Sequence, residues 1–129
     1  MAIFYHVDIA RFAAEADQKW VDNLLSHFDI PGVENSRQGM ARRISADAIH
    51  HIALVRILNR ELGIPTAKAV LLATDLLSSP GAHVAIQHTV EISVDTARFR
   101  RHVDAAIAEA VESIAPPRRG RPPSVARRT

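Results

Sequence analysis

The short run Leu62-Gly63-Ile64-Pro65-Thr66 limits what this chain can fold into more than any other feature. Ahead of it Ile49, Ile52, Ala53, Ile57 and Leu58 recur at helical spacing, with Ser45 as an N-cap and Asp47 in the first turn. Gly63 stands where a left-handed residue ends a helix, and Pro65-Thr66 opens the next one. The pattern predicts helices over 45–62 and 67–77, the second closed by Ser78-Ser79-Pro80-Gly81.

Upstream, Ile9, Phe12, Ala13 and Ala16 share one helical face over 7–16, with Asp8 as the N-cap. Asp17 starts a second helix whose buried stripe is Trp20, Leu24, Leu25 and Phe28, ended by Pro31-Gly32. Almost nothing joins these two helices, which is the sequence form of a tight helix–turn–helix. Residues 33–45 (VENSRQGMARRIS) have no helical period and suit a small β-hairpin. After Pro80-Gly81 the period becomes two: Val84, Ile86, His88, Val90, Ile92 and Val94 alternate with polar or small neighbours. One long strand is expected there, then a helix over 96–114 with Phe99, Val103, Ile107, Val111 and Ile114 as its stripe.

A long strand needs a partner, because an open edge exposes backbone donors and acceptors. The N-terminal IFYHV, the 33–45 hairpin, or a second copy of the strand across a two-fold axis would each supply one. The two-fold arrangement is the favoured expectation. It makes 81–115 a strand–helix dimerisation segment in which Val84, Ile86, Val90, Ile92, Val94, Phe99, Val103 and Ile107 meet a second copy. The expected organisation is a helix–turn–helix domain over 1–80, that segment, and a basic tail over 116–129. The fold class is mainly α with a small β component.

Composition narrows the chemistry. The chain has no cysteine, so disulfides, thiolate metal sites and cysteine nucleophiles are excluded. Seven histidines are present. His50 and His51 are adjacent on a helix and point about 100° apart, His83 and His88 fall on opposite strand faces, and no pair has metal-binding spacing. His88, on the apolar strand face, is expected to be a hydrogen-bonded core or interface residue. No nucleophile elbow, phosphate loop or carboxylate pair points to catalysis, and no cofactor is implied. The first residues lack a basic stretch followed by an apolar run, and no apolar run approaches a bilayer span. A soluble, cytoplasmic protein is expected.

The sixteen Lys and Arg nearly balance fourteen Asp and Glu, but not evenly along the chain. Arg118, Arg119, Arg121, Arg127 and Arg128 lie in 116–129, which has no acid. The rest is mildly acidic. A folded body with an anion-seeking arm fits that asymmetry.

The order of elements over 3–77 resembles the DNA-binding domain of the MerR family. VDIARFAAEADQKWVDNLLSHF corresponds to its helix–turn–helix, SRQGMARRIS to its hairpin wing, and ISADAIHHIALVRILNRELGIPTAKAVLLATDLL to its next two helices. The resemblance implies a winged helix–turn–helix that binds double-stranded DNA in a bacterial nucleoid. VDNLLSHF lacks the family's usual Arg-Tyr pair, the long coiled-coil helix is replaced, and the metal-sensing cysteines are missing. Effector sensing and promoter untwisting therefore do not carry over.

Within that frame the second helix offers Gln18, Lys19 and Asn23 to the major groove: the amides suit adenine edges, and the lysine suits guanine or phosphate. Arg37, Arg42 and Arg43 surround the hairpin glycine, near no carboxylate but Glu34, and suit phosphate or minor-groove contact. In the tail, PPRRGRPP holds the Arg-Gly-Arg-Pro core that resembles an AT-hook. Arg118, Arg119 and Arg121 would line a narrow A·T-rich minor groove, with Gly120 allowing close approach and Pro122 holding the chain extended. The expected activity is a dimeric transcriptional regulator or DNA-architectural factor. The competing expectation is a protein adaptor or antitoxin-like partner that binds through the 84–94 strand edge. Convergence of Lys19, Arg37, Arg42 and Arg43 beside the second helix favours DNA, and scatter with an open strand edge favours the adaptor. RNA binding lacks its aromatic platform.

Overall fold

The computed structural model describes residues 3–34, 42–78 and 83–114. Over these the chain is mainly helical, with five helices and two small antiparallel sheets among the described residues.

Strand β1 (Phe4–His6) runs directly into α1 (Val7–Ala14). The cap of α1 is His6, whose Nδ1 accepts the Asp8 amide proton at 3.1 Å. Asp8 is therefore not the N-cap; it sits in the first turn and accepts from Arg11 at 3.0 Å, where a carboxylate opposes the positive end of the helix dipole. Its buried residues are Ile9, Ala10 and Ala14, and Phe12 faces outward, 38% exposed. The helix ends in a Schellman turn, with Ala16 N–H donating to the Arg11 carbonyl and Glu15 N–H to that of Phe12. Glu15 takes the left-handed position (φ 54°) that glycine usually fills.

Two residues later Asp17 caps α2 (Gln18–His27), accepting from Trp20 N–H at 2.7 Å. Val21, Leu24 and Leu25 form its buried side, and Trp20 and Phe28 are half-buried at its margins. The Arg56 guanidinium stacks over the Trp20 ring at 5.0 Å and ties α2 to the central helix.

The base of the expected hairpin is present as β2 (Val33–Glu34) and β3 (Arg43–Ser45), paired antiparallel. Strand β3 also pairs with β1, so it is the middle of a three-stranded sheet, with Tyr5 and Val33 both opposite the fully buried Ile44. IFYHV thus pairs with the 33–45 hairpin rather than with the later strand.

Helix α3 (Ala46–Leu62) follows, capped by Ser45 Oγ on Ala48 N–H at 3.2 Å. Every residue from Ala48 to Val55 is buried, because neighbours pack around the helix rather than along one stripe. Gly63 is left-handed (φ 67°), and Asn59 Nδ2 donates to the Ile64 carbonyl at 2.9 Å. These hold the turn into α4 (Thr66–Leu77).

The period-two segment is not one strand. It is a hairpin, β4 (His83–Gln87) and β5 (Val90–Ser93), folded on itself across His88-Thr89 with a register shift between Ala85 and Gln87. The single long strand expected from the sequence is corrected, because each half of the run finds a partner in the other half within one chain. His88 is exposed in the turn, so it is not a core histidine.

Helix α5 (Thr96–Ser113), capped by Asp95, lies against α1 and α3. Val103 and Ile107 are 2% and 4% exposed in the same core as α1 to α4. That corrects their expected place in a dimer surface: their apolar area is already covered within one chain. No described helix is long and apolar enough to cross a membrane.

Candidate functional site

The exposed side of α2 is set by its buried side. At 100° per residue, Lys19 and Asn23 fall opposite Val21, Leu24 and Leu25, with Ser26 one turn on and Asp22 at the flank. Gln18 is also exposed, yet it projects more than a quarter turn from that strip. The Asp17 cap consumes an early amide of α2. Lys19 has no ion-pair partner among the described residues.

Arg42, just before β3, reaches across to this helix. Its guanidinium donates to Ser26 Oγ at 3.0 Å and to the Asp22 carboxylate at 3.4 Å. The side chain is only 20% exposed. The expectation that the hairpin arginines meet no carboxylate but Glu34 is corrected: Asp22 arrives from twenty positions away in sequence. Together Val7, Asp22, Ser26 and Arg42 line a small open hollow between α2 and the sheet.

Arg43 leaves β3 on the opposite side, as neighbouring strand residues must. It lies over the Phe4 ring at 4.8 Å and donates to Glu34 at 3.3 Å. Lys19 and Arg42 thus converge on α2, and Arg43 does not. Arg37 and the tail residues Arg118, Arg119, Gly120, Arg121 and Pro122 lie outside the described residues, as does the side chain of Ile86.

Of the expected strand contacts, Val84, Ile92 and Val94 are half-buried against the core, as is Phe99 on α5, and Val90 is 50% exposed. His83 and Glu91 pair across the hairpin at 3.4 Å, both well exposed.

The two adjacent histidines have separate tasks that the sequence reading missed. His50 Nε2 donates to Asp104 at 2.7 Å, and Arg100 donates to His50 Nδ1 at 2.8 Å and to the Leu77 carbonyl at 3.0 Å. A guanidinium can only donate, so Nδ1 is the acceptor and the ring proton sits on Nε2. His51 Nε2 donates to the Val70 carbonyl at 3.2 Å. Burial pushes its pKa down, partly offset by that backbone bond. One histidine fastens α3 to α5 and the other fastens it to α4. Among the described residues no group of three or more His, Asp or Glu could hold a metal ion.

No family model matches the chain, and no curated protein or solved structure matches it.

Proposed function

We propose that the chain is a double-stranded DNA-binding protein built as a winged helix–turn–helix. In this reading α2 enters the major groove through Lys19 and Asn23, and the β2–β3 hairpin is the wing. The Arg-Gly-Arg-Pro tail takes A·T-rich minor groove beside it.

The observation that carries the reading is the clamp from Arg42 to Asp22 and Ser26. It fixes a hairpin base against the flank of a ten-residue helix whose outer strip holds a lysine without an ion-pair partner among the described residues and an amide. A short helix presented rigidly beside a hairpin is what groove recognition requires, since base edges are read only if the helix register is fixed. Gln18 has a lesser part, because it points away from the strip. Arg43 serves the sheet. The homodimer part of the reading now rests on the β4–β5 hairpin, where Val90 is half exposed, and not on α5.

The test compares the full chain with one ending at Ala115, on A·T-rich and G·C-rich duplexes. The reading expects both to bind, and expects only the full chain to prefer A·T-rich DNA. Failure of both to bind any duplex above background contradicts it.

A further inference from the structure

Between α1 and α5 lies an open cleft of about 900 Å³. Its apolar lining is Phe12, Ala13, Ala16, Ala106 and Ile114, and Phe12 is 38% exposed. Four carboxylates, Asp8, Glu15, Asp17 and Glu109, also line it. Asp8 is occupied by Arg11, and Asp17 by the α2 cap. Glu15 and Glu109 have no ion-pair partner among the described residues, and the one other basic group on the cleft is His102.

The cleft runs along α5 from His102 to Ile114. That is about 18 Å at the helical rise. Ile114, at its end, is the last described residue before the arginine-rich tail. We propose that the cleft is the docking site of this chain's own C-terminal tail, residues 116–128, in the protein free of nucleic acid.

Charge, length and position support that occupant. The tail carries five arginines and no acid, and the cleft lining offers two carboxylates, Glu15 and Glu109, without an ion-pair partner among the described residues. Fully extended, 116–128 reaches roughly 40 Å, so it can turn back at Ala115 and still span the cleft. Pro116, Pro117, Pro122 and Pro123 bring compact apolar rings that suit the lining of Phe12, Ala13, Ala16 and Ala106. The tether raises the local concentration of the tail to the millimolar range, so contacts too weak to capture a free peptide suffice. The proposal concerns the free protein and does not depend on the DNA reading.

The absence of cysteine makes the test clean. A nitroxide is placed on Ser124→Cys in the full chain, and paramagnetic broadening of the backbone amides is read by NMR. Docking predicts selective loss of amide signals at Glu15, Ala16, His102 and Glu109 at low salt. Those signals should return near 1 M salt, where the Debye length is about 3 Å, and in the E15Q/E109Q double variant. Both substitutions fall on exposed side chains, so the fold persists and the wild-type spectrum elsewhere serves as control. Broadening spread evenly over the surface, centred on another face, or unchanged in the double variant overturns the proposal. So does cleft broadening when isotope-labelled, spin-free protein is mixed with unlabelled, spin-labelled protein, because the tail would then dock on a second copy.

Discussion

The Arg42 guanidinium and the Asp22 carboxylate stand 3.4 Å apart, joining the entrance of β3 to the outer flank of α2. Asp22 is 45% exposed and Arg42 20%, so solvent screens the pair. A double-mutant cycle of Arg42→Ala and Asp22→Ala should give a coupling of about 0.2–1 kcal/mol in urea unfolding. Additive variants would mean that the clamp holds nothing.

Gly32 carries a second demand of the same region. Its φ is +92°, and a Cβ there would run into Ser45 Oγ, the atom that caps α3. The Ser45 amide also donates to the Gly32 carbonyl at 2.9 Å. Gly32→Ala combines a left-handed backbone penalty of about 1–2 kcal/mol with damage to a cap worth about 1 kcal/mol. Thermal unfolding should show a destabilisation of that combined size, and a variant as stable as the parent would refute the geometry.

His51 sets a pH dependence. Its folded pKa lies below the ordinary value near 6.5, so between the two values the unfolded chain binds the extra proton. Stability from this group is complete above about pH 6.5 and is lost as pH falls through the folded value, with a slope of at most about 1.4 kcal/mol per pH unit. His51→Gln should flatten the stability–pH curve of the parent on the acid side. Parallel curves for the two proteins would contradict the assignment.

Ile107 separates a core helix from a dimer surface. It is 4% exposed within one chain. Ile107→Ala should cost about 2–5 kcal/mol of unfolding free energy, with no change in molecular mass measured by sedimentation. A change of association state with unchanged stability would return α5 to an interface.

These elements differ in how far the sequence discloses them. The α3–α4 pair was legible because Ser45, Gly63 and Pro65 mark its ends chemically, and Asp17 and Asp95 cap α2 and α5 in the same way. The β4–β5 hairpin was not legible. Its turn is His88-Thr89, without the glycine or asparagine that announces a two-residue loop, and the apolar alternation continues through it. The His6 cap escaped because histidine is not a usual capping residue. The Arg42–Asp22 contact and the two histidine fastenings join residues about twenty to fifty positions apart, and local periodicity carries no trace of such pairs. Lys19 and Asn23 were legible as a strip because Val21, Leu24 and Leu25 fix the opposite face.

The most direct test of the DNA reading is the salt dependence of duplex binding by the parent and by Lys19→Ala. If α2 lies in the groove with Lys19 on phosphate, the variant binds more weakly on every sequence. Its slope of log affinity against log salt is then shallower by about one. If the two proteins bind alike at every salt concentration, or neither binds duplex DNA at all, α2 is not the reading helix and the account fails.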